Sequence, residues 1–170
     1  AYEPEQLESF KPWQTEILDI IKGKPDNRKI YWFWEETGGV GKSTFCRYLF
    51  DKLGNKLMIF DSIKKSDVYF AFSGGKEPST KYVAPKIVIF DLPRASLKSD
   101  DMDYTAIEGL KNGLIFCGKY ESRGFRFRQP HIFVFSNREP KSGKMSSDRW
   151  VVKNISEVIE YNLDDVETST

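Results

Sequence analysis

Glu36-Thr37-Gly38-Gly39-Val40-Gly41-Lys42-Ser43 stands between two apolar segments of opposite character. Before it, Ile30-Tyr31-Trp32-Phe33-Trp34 is a short continuous apolar run, the pattern of a strand buried on both faces. After it, Cys46, Leu49, Phe50 and Leu53 recur at helical spacing, and Gly54 follows where a helix would close. A glycine-rich loop between a strand and a helix turns successive backbone N–H groups toward an anion, and the helix N-terminus adds a favourable dipole. Residues 37–44, that is Thr37, Gly38, Gly39, Val40, Gly41, Lys42, Ser43 and Thr44, are therefore expected to cradle a nucleotide's phosphates. In such a loop the lysine, Lys42, reaches the β- and γ-phosphates, and the hydroxyl of Ser43 ligates magnesium. Glu36 stands where the usual pattern has a first glycine; the glycines nearest the phosphates are kept.

Working outward, Trp13, Ile17, Ile20 and Ile21 predict a helix behind Pro12, and the N-terminal 1–22 segment is read as helical. Leu57–Phe60 and residues 87–90 predict two further buried strands, separated by a polar loop over residues 73–85. Asp91 ends the second of these strands, where a carboxylate beside a phosphate loop holds magnesium through water. Leu92 follows it, so no second acid stands beside it, and Glu36 and Glu108 are the candidates to polarise the attacking water. Tyr104, Ile107 and Leu110 predict a short helix before Asn112-Gly113. Leu114–Cys117 and the segment from Gly124 predict two strands joined by a polar turn. Residues 132–135 form the last strong strand, and Asn137 at its tip is placed to sense a γ-phosphate. Arg149, beyond the Lys/Ser/Gly stretch 141–144, is a candidate arginine finger for a neighbouring subunit. Strands alternating with helices predict an α/β domain with a largely parallel central sheet flanked by helices. It is expected to span residues 1–152, followed by an acidic, partly disordered tail over 153–170.

Lys119, Arg123, Arg126 and Arg128 fall in a segment of alternating Phe and Arg, a pattern suited to single-stranded nucleic acid through charge and base stacking. For the rings themselves, simple core packing is an equal alternative. Net charge is +1, so nucleic-acid affinity must come from such a local patch. Cys46 and Cys117, far apart in apolar stretches, have no metal-site spacing and read as buried thiols of a reducing compartment. No run approaches the roughly 18 apolar residues of a membrane span, and no leader peptide is read. The chain begins at Ala1, so further upstream domains are expected. His131, the single histidine, is assigned no role.

Four motifs thus stand in one order: the loop through Lys42, then Asp91, Asn137 and Arg149. That order resembles superfamily 3 helicases, in particular the replication initiator (Rep) proteins of circular single-stranded DNA viruses. Ile89-Phe90-Asp91-Leu92-Pro93-Arg94, Leu110-Lys111-Asn112-Gly113 and Gly118-Lys119-Tyr120 are similar to the nanovirus and circovirus branch. The resemblance implies a P-loop NTPase of AAA+-like build: an ATP- and Mg2+-dependent motor, hexameric when full length, moving 3′ to 5′ on single-stranded DNA and opening replication forks. It assigns Lys42 and Ser43 to Walker A, Asp91 to Walker B, Asn137 to motif C and Arg149 to the finger, with the basic hairpin lining the channel. It also implies the host nucleus as the site of action and no membrane partner. Relatives carry a nicking domain with paired histidines; one histidine in total implies that this stretch lacks it. Three rival readings remain: a partition-type ATPase, a P-loop kinase, or a nucleotide-gated DNA-binding or assembly module with little turnover.

Overall fold

The structure is a computed structural model that describes residues 1–93, 104–118, 123–141 and 148–156. Five strands form one parallel sheet in the order β2-β3-β6-β1-β7, with β1 Ile30–Trp34, β2 Leu57–Phe60, β3 Ile87–Asp91, β6 His131–Ser136 and β7 Trp150–Asn154. A separate antiparallel hairpin pairs β4 Leu114–Cys117 with β5 Arg123–Arg126. Four α-helices lie among the described residues: α1 Pro12–Lys22, α2 Lys42–Leu53, α3 Lys65–Phe72 and α4 Thr105–Asn112. The expected α/β class with a parallel sheet is what forms.

Period-2 alternation along the strands decides what each face packs against. Trp32, Val88, Phe90, Ile132 and Val134 face one way, onto α3, α4 and the hairpin through Val68, Phe72, Ile107, Leu110, Ile115 and Phe127. Phe33, Ile87, Ile89, Phe133 and Phe135 face the other way, onto α1 and α2 through Trp13, Ile17, Phe45, Cys46 and Leu49. Every residue of β6 is buried, as a strand between two layers of helix requires. Burying one such Phe is worth roughly 1.5–3 kcal/mol, more than any local propensity, so the apolar runs dictate the sheet.

Several details differ from the sequence reading. The N-terminal segment is helical only from Pro12, at the first helical position, where a missing N–H costs nothing. Residues ahead of it lie instead along α2, with Tyr2 Oη donating to Asp51 at 2.9 Å and Arg47 to Glu5 at 2.9 Å. On α2 the buried face is Phe45, Cys46 and Leu49, while Phe50, one residue past Leu49 and about 100° round the helix, is exposed. Helix α3 is an element the sequence reading lacked, as is β7, whose last residues pass the expected domain end at 152. Ile155 then packs into the core beside α1 and α2, so the fold reaches past residue 152. The rest of the acidic tail, residues 157–170, lies outside the described residues. Cys46 and Cys117 are both buried and unpaired. No described helix is long and apolar enough to cross a membrane.

Candidate functional site

Parallel strands bring their carboxyl ends to one edge of the sheet, and in open α/β sheets that edge carries the ligand. Here β1 runs directly into the glycine-rich loop. Gly38, Gly39 and Gly41 all take left-handed φ angles, between 78° and 92°. At Gly41, the N-cap of α2, a side chain would also press on the Gln14 amide at 3.3 Å, so glycine is required there on two counts. Buried Gln14 reaches from α1 to the Gly41 carbonyl at 3.5 Å, tying the first helix to the loop.

A cleft of about 450 Å³ opens at this edge, lined by residues 38–44 together with Asp61, Asp91, Leu92, Pro93 and Asn137. The structure thus gathers Lys42, Ser43, Asp91 and Asn137, which the sequence reading had chosen from three separate segments. Strand order explains the meeting. Register pairs Trp34 with Ser136 and Asp91 with Phe135, so the ends of β1, β6 and β3 lie side by side.

Two further carboxylates at this edge escaped the sequence reading. The first is Glu35, the residue immediately after β1, with a fully buried side chain. Its Oε1 is ion-paired with Lys42 Nζ and accepts from Asn137 Nδ2 at 3.2 Å. Its Oε2 accepts from the Gly38 N–H at 2.5 Å and from the Thr37 hydroxyl at 3.3 Å. Burial pushes its pKa up, but the bonds from Lys42 and from the Gly38 N–H outweigh that and hold it below the ordinary carboxylate range. The second is Asp61, one residue past β2. Register pairs Phe60 with Phe90 and, continued by one residue, sets Asp61 alongside Asp91.

Asp91 is partly buried, and burial raises its pKa; the charge of Lys42 and a hydrogen bond from Cys46 oppose this, and the Asp61 charge reinforces it. The Cys46 thiol is pushed up by its own burial and by Asp91, which makes it an inert donor rather than a nucleophile. Two carboxylates and a hydroxyl around one cleft are hard oxygen donors of the kind Mg2+ accepts, and Mg2+ takes its remaining ligands from water and phosphate. Among the described residues no group of three or more His, Cys, Asp or Glu is placed to hold a metal ion by itself. Asp91→Asn is expected to raise the magnesium concentration for half-maximal hydrolysis by about 10–100-fold, the usual cost of losing an outer-sphere carboxylate. Without metal, the same change removes a partly desolvated charge and should raise Tm by about 2–4 °C. Magnesium titrations of the rate and thermal melting check both; an unmoved magnesium midpoint would make Asp91 purely structural.

The other candidates lie elsewhere. Glu36 is exposed and outside the cleft lining. Glu108 is on α4, where its carboxylate faces Arg149 Nη1 at 3.5 Å. Neither candidate for polarising water therefore lines the cleft. Arg149 precedes β7, and its carbonyl accepts from the Ile30 N–H at 2.8 Å, which puts it at the amino ends of the strands, opposite the cleft. On the hairpin, Ile115 and Phe125 face inward, and Phe127 meets Phe72 with ring centroids 4.6 Å apart, so both Arg-flanked rings are core. The exposed ring is Phe116, 66% accessible, on the outer face opposite Gly124, a position the sequence reading passed over. Arg126 and Arg128 are exposed and Arg123 half-buried. Arg126 Nη1 also donates to the Gly113 and Phe127 carbonyls at 2.6 and 2.7 Å, bracing the hairpin base. Lys119 lies outside the described residues. His131 is buried, its Nε2 3.0 Å from the Gly23 carbonyl, tying the end of α1 to β6.

A family profile described as RNA helicase matches residues 31–138, the span from β1 through Asn137. Among curated proteins, Para-Rep C1 of Faba bean necrotic yellows C11 alphasatellite is 34% identical over 151 residues, covering 86% of this chain and 48% of that protein. Master replication protein of Milk vetch dwarf virus (isolate N) is 32% identical over 143 residues, 83% of this chain and 44% of its own length. Master replication protein of Subterranean clover stunt virus (strain F) is 31% identical over 154 residues, 89% of this chain and 48% of its own. The chain thus spans about half the length of the curated relatives it matches. With the loop, the strand order and the strand-tip residues in place beneath that match, the chain belongs to the RNA helicase family, as a superfamily 3 helicase domain of the Rep type.

Proposed function

We propose that this domain is the ATP-driven motor of a viral rolling-circle replication initiator, hydrolysing ATP with Mg2+ to move 3′ to 5′ along single-stranded DNA and open the fork, as a hexamer in the full-length protein. The observation that carries the reading is the convergence of Lys42, Ser43, Asp91 and Asn137 on one cleft at the carboxyl edge of the sheet. There the loop N–H groups and Lys42 hold the phosphates, while Ser43 and Asp91, with Asp61 beside them, hold magnesium. Magnesium held there would supply charge neutralisation to the phosphates. Asn137 orients what approaches the γ-phosphate. The relatives' names speak of replication, which favours DNA as the track, and the host nucleus is the compartment that fits such a role. A module that binds nucleotide without turning it over is the second reading, favoured by Leu92 standing where motors often carry a second acid. One assay separates them: ATP turnover measured alone, with single-stranded DNA and with single-stranded RNA. Stimulation by DNA above RNA supports the motor, and no turnover under any condition supports the binding module.

The hairpin supplies the track contact in this reading. Arg123, Arg126 and Arg128, with Lys119, neutralise phosphates, and the exposed Phe116 offers a face for a base. Counterion release gives binding a log–log salt slope of about −0.7 per phosphate neutralised on single strands. Replacing Arg123 and Arg128 with alanine is expected to flatten the slope by roughly one to two units. Fluorescence titrations at several salt concentrations check it. Weaker binding at an unchanged slope would assign the loss to folding instead.

A further inference from the structure

The loop that awaits phosphate already holds an anion of its own. Glu35 takes a hydrogen bond from the loop N–H of Gly38, the ammonium of Lys42 and the amide of Asn137, the same three kinds of donor that a triphosphate requires. A carboxylate offers about four acceptor positions. Here all four are filled, two on each oxygen, counting the Thr37 hydroxyl. While Lys42 and Asn137 are in place such a group has no lone pair left for a water, and it serves as an acceptor for the loop's donors. Among the described residues it joins the lysine at the start of α2 to the residue just past β6, 95 positions further along the sequence.

We propose that Glu35 is a tethered competitor of the nucleotide's phosphates: it sets how tightly nucleotide binds and couples the arrival of a γ-phosphate to Asn137. The inference rests on the phosphate-binding reading of the loop. When phosphate draws Lys42 away, Oε1 is left to Asn137 alone, and the amide is free to turn toward the γ-phosphate. Lysine has three N–H donors, so the exchange proceeds bond by bond rather than by breaking the pair at once. The consequence is a trade between affinity and rate. Glu35 weakens binding by competing for Lys42, and it raises turnover by keeping Lys42 and Asn137 beside the loop until phosphate takes them over.

Glu35→Gln tests this, because the glutamine keeps the shape and still accepts from Gly38 while losing the charge that holds Lys42. Binding of a fluorescent, non-hydrolysable ATP analogue is read by anisotropy, and kcat and KM by phosphate release, in wild type, Glu35→Gln and Lys42→Ala. The expected result is an analogue Kd lower by on the order of tenfold in Glu35→Gln, the scale of one lost charge-assisted contact, together with a reduced kcat. A purely structural glutamate predicts the reverse, weaker binding and unchanged turnover per bound nucleotide. Unchanged or weaker binding in Glu35→Gln, with binding abolished in Lys42→Ala, overturns this inference and leaves the loop reading standing. Wild-type binding in Lys42→Ala removes the loop reading and this inference with it. Should Glu35→Gln melt below the assay temperature, Thr37→Val loosens the same carboxylate from an exposed position. It is then expected to tighten analogue binding about twofold or more, and an unchanged Kd overturns the inference.

Discussion

Lys42→Ala is expected to reduce ATP hydrolysis to the background rate, the largest single loss predicted for this domain. The ammonium is the only side-chain cation among the described residues lining the cleft, and charge on the β- and γ-phosphates grows as the γ-phosphoryl group departs. Phosphate release from purified protein, at saturating ATP and magnesium, measures it, and wild-type turnover with an intact fold would sink the phosphate-loop reading. The fold must be checked with care, because this lysine is also half of a buried ion pair with Glu35. Removing one partner of such a pair strands the other, typically at a cost of about 3–5 kcal/mol. A dead Lys42→Ala protein is therefore open to a trivial explanation, an unfolded chain. The double variant Lys42→Ala with Glu35→Gln resolves it: with no stranded charge, melting should return toward wild type while hydrolysis stays absent. Activity that recovered along with the melting temperature would show that Lys42 serves the fold and not the chemistry.

What could be read from the sequence, and what could not, follows from how local each signal is. The strand, the loop and α2 are contiguous, so the pattern from Ile30 to Leu53 carried its own context, and Asp91 and Asn137 announced themselves as polar residues ending apolar strands. Glu35 also follows an apolar strand, but its place at the head of the loop drew attention to the glycines and Lys42 instead. Its role exists only because β6 lies next to β1, which brings Asn137 to a residue 102 positions earlier. Asp61 also follows an apolar strand, but that it stands beside Asp91 depends on the β2–β3 register. Helix α3 was hidden by composition: Val68 to Phe72 is apolar throughout, and eight residues give too little length for a period to show. The same uniformity hid Phe116. Leu114-Ile115-Phe116-Cys117 gives no alternation to say which ring faces out, and only the hairpin's packing on α3 and α4 decides it.

Arg149→Ala is expected to bind ATP nearly as well as wild type and to hydrolyse it roughly 10³–10⁵-fold more slowly, the scale of a finger arginine in related phosphoryl-transfer enzymes. Such an effect would have to be exerted on a neighbouring subunit's loop. Arg149 adjoins Ile30 at the start of β1, whereas the loop begins beyond Trp34 at its end. Five strand residues at about 3.3 Å each separate the two by about 17 Å, more than an arginine side chain spans. Among the described residues the guanidinium meets Glu108 and Asn112, each at 3.5 Å, too long for a strong charge-assisted bond. Its Nε is buried with no hydrogen-bond partner among the described residues, an arrangement that favours exchange for a better anion. A longer protein that assembles tests the assignment by mixing. Arg149→Ala and Lys42→Ala subunits are each inactive alone, yet in a mixed ring an intact loop can face an intact finger. Partial recovery of ATP turnover is the expected result, rising and falling with the mixing ratio. No recovery, with mixed rings verified by native mass measurement, would leave Arg149 outside catalysis and make its contacts with α4 its whole purpose.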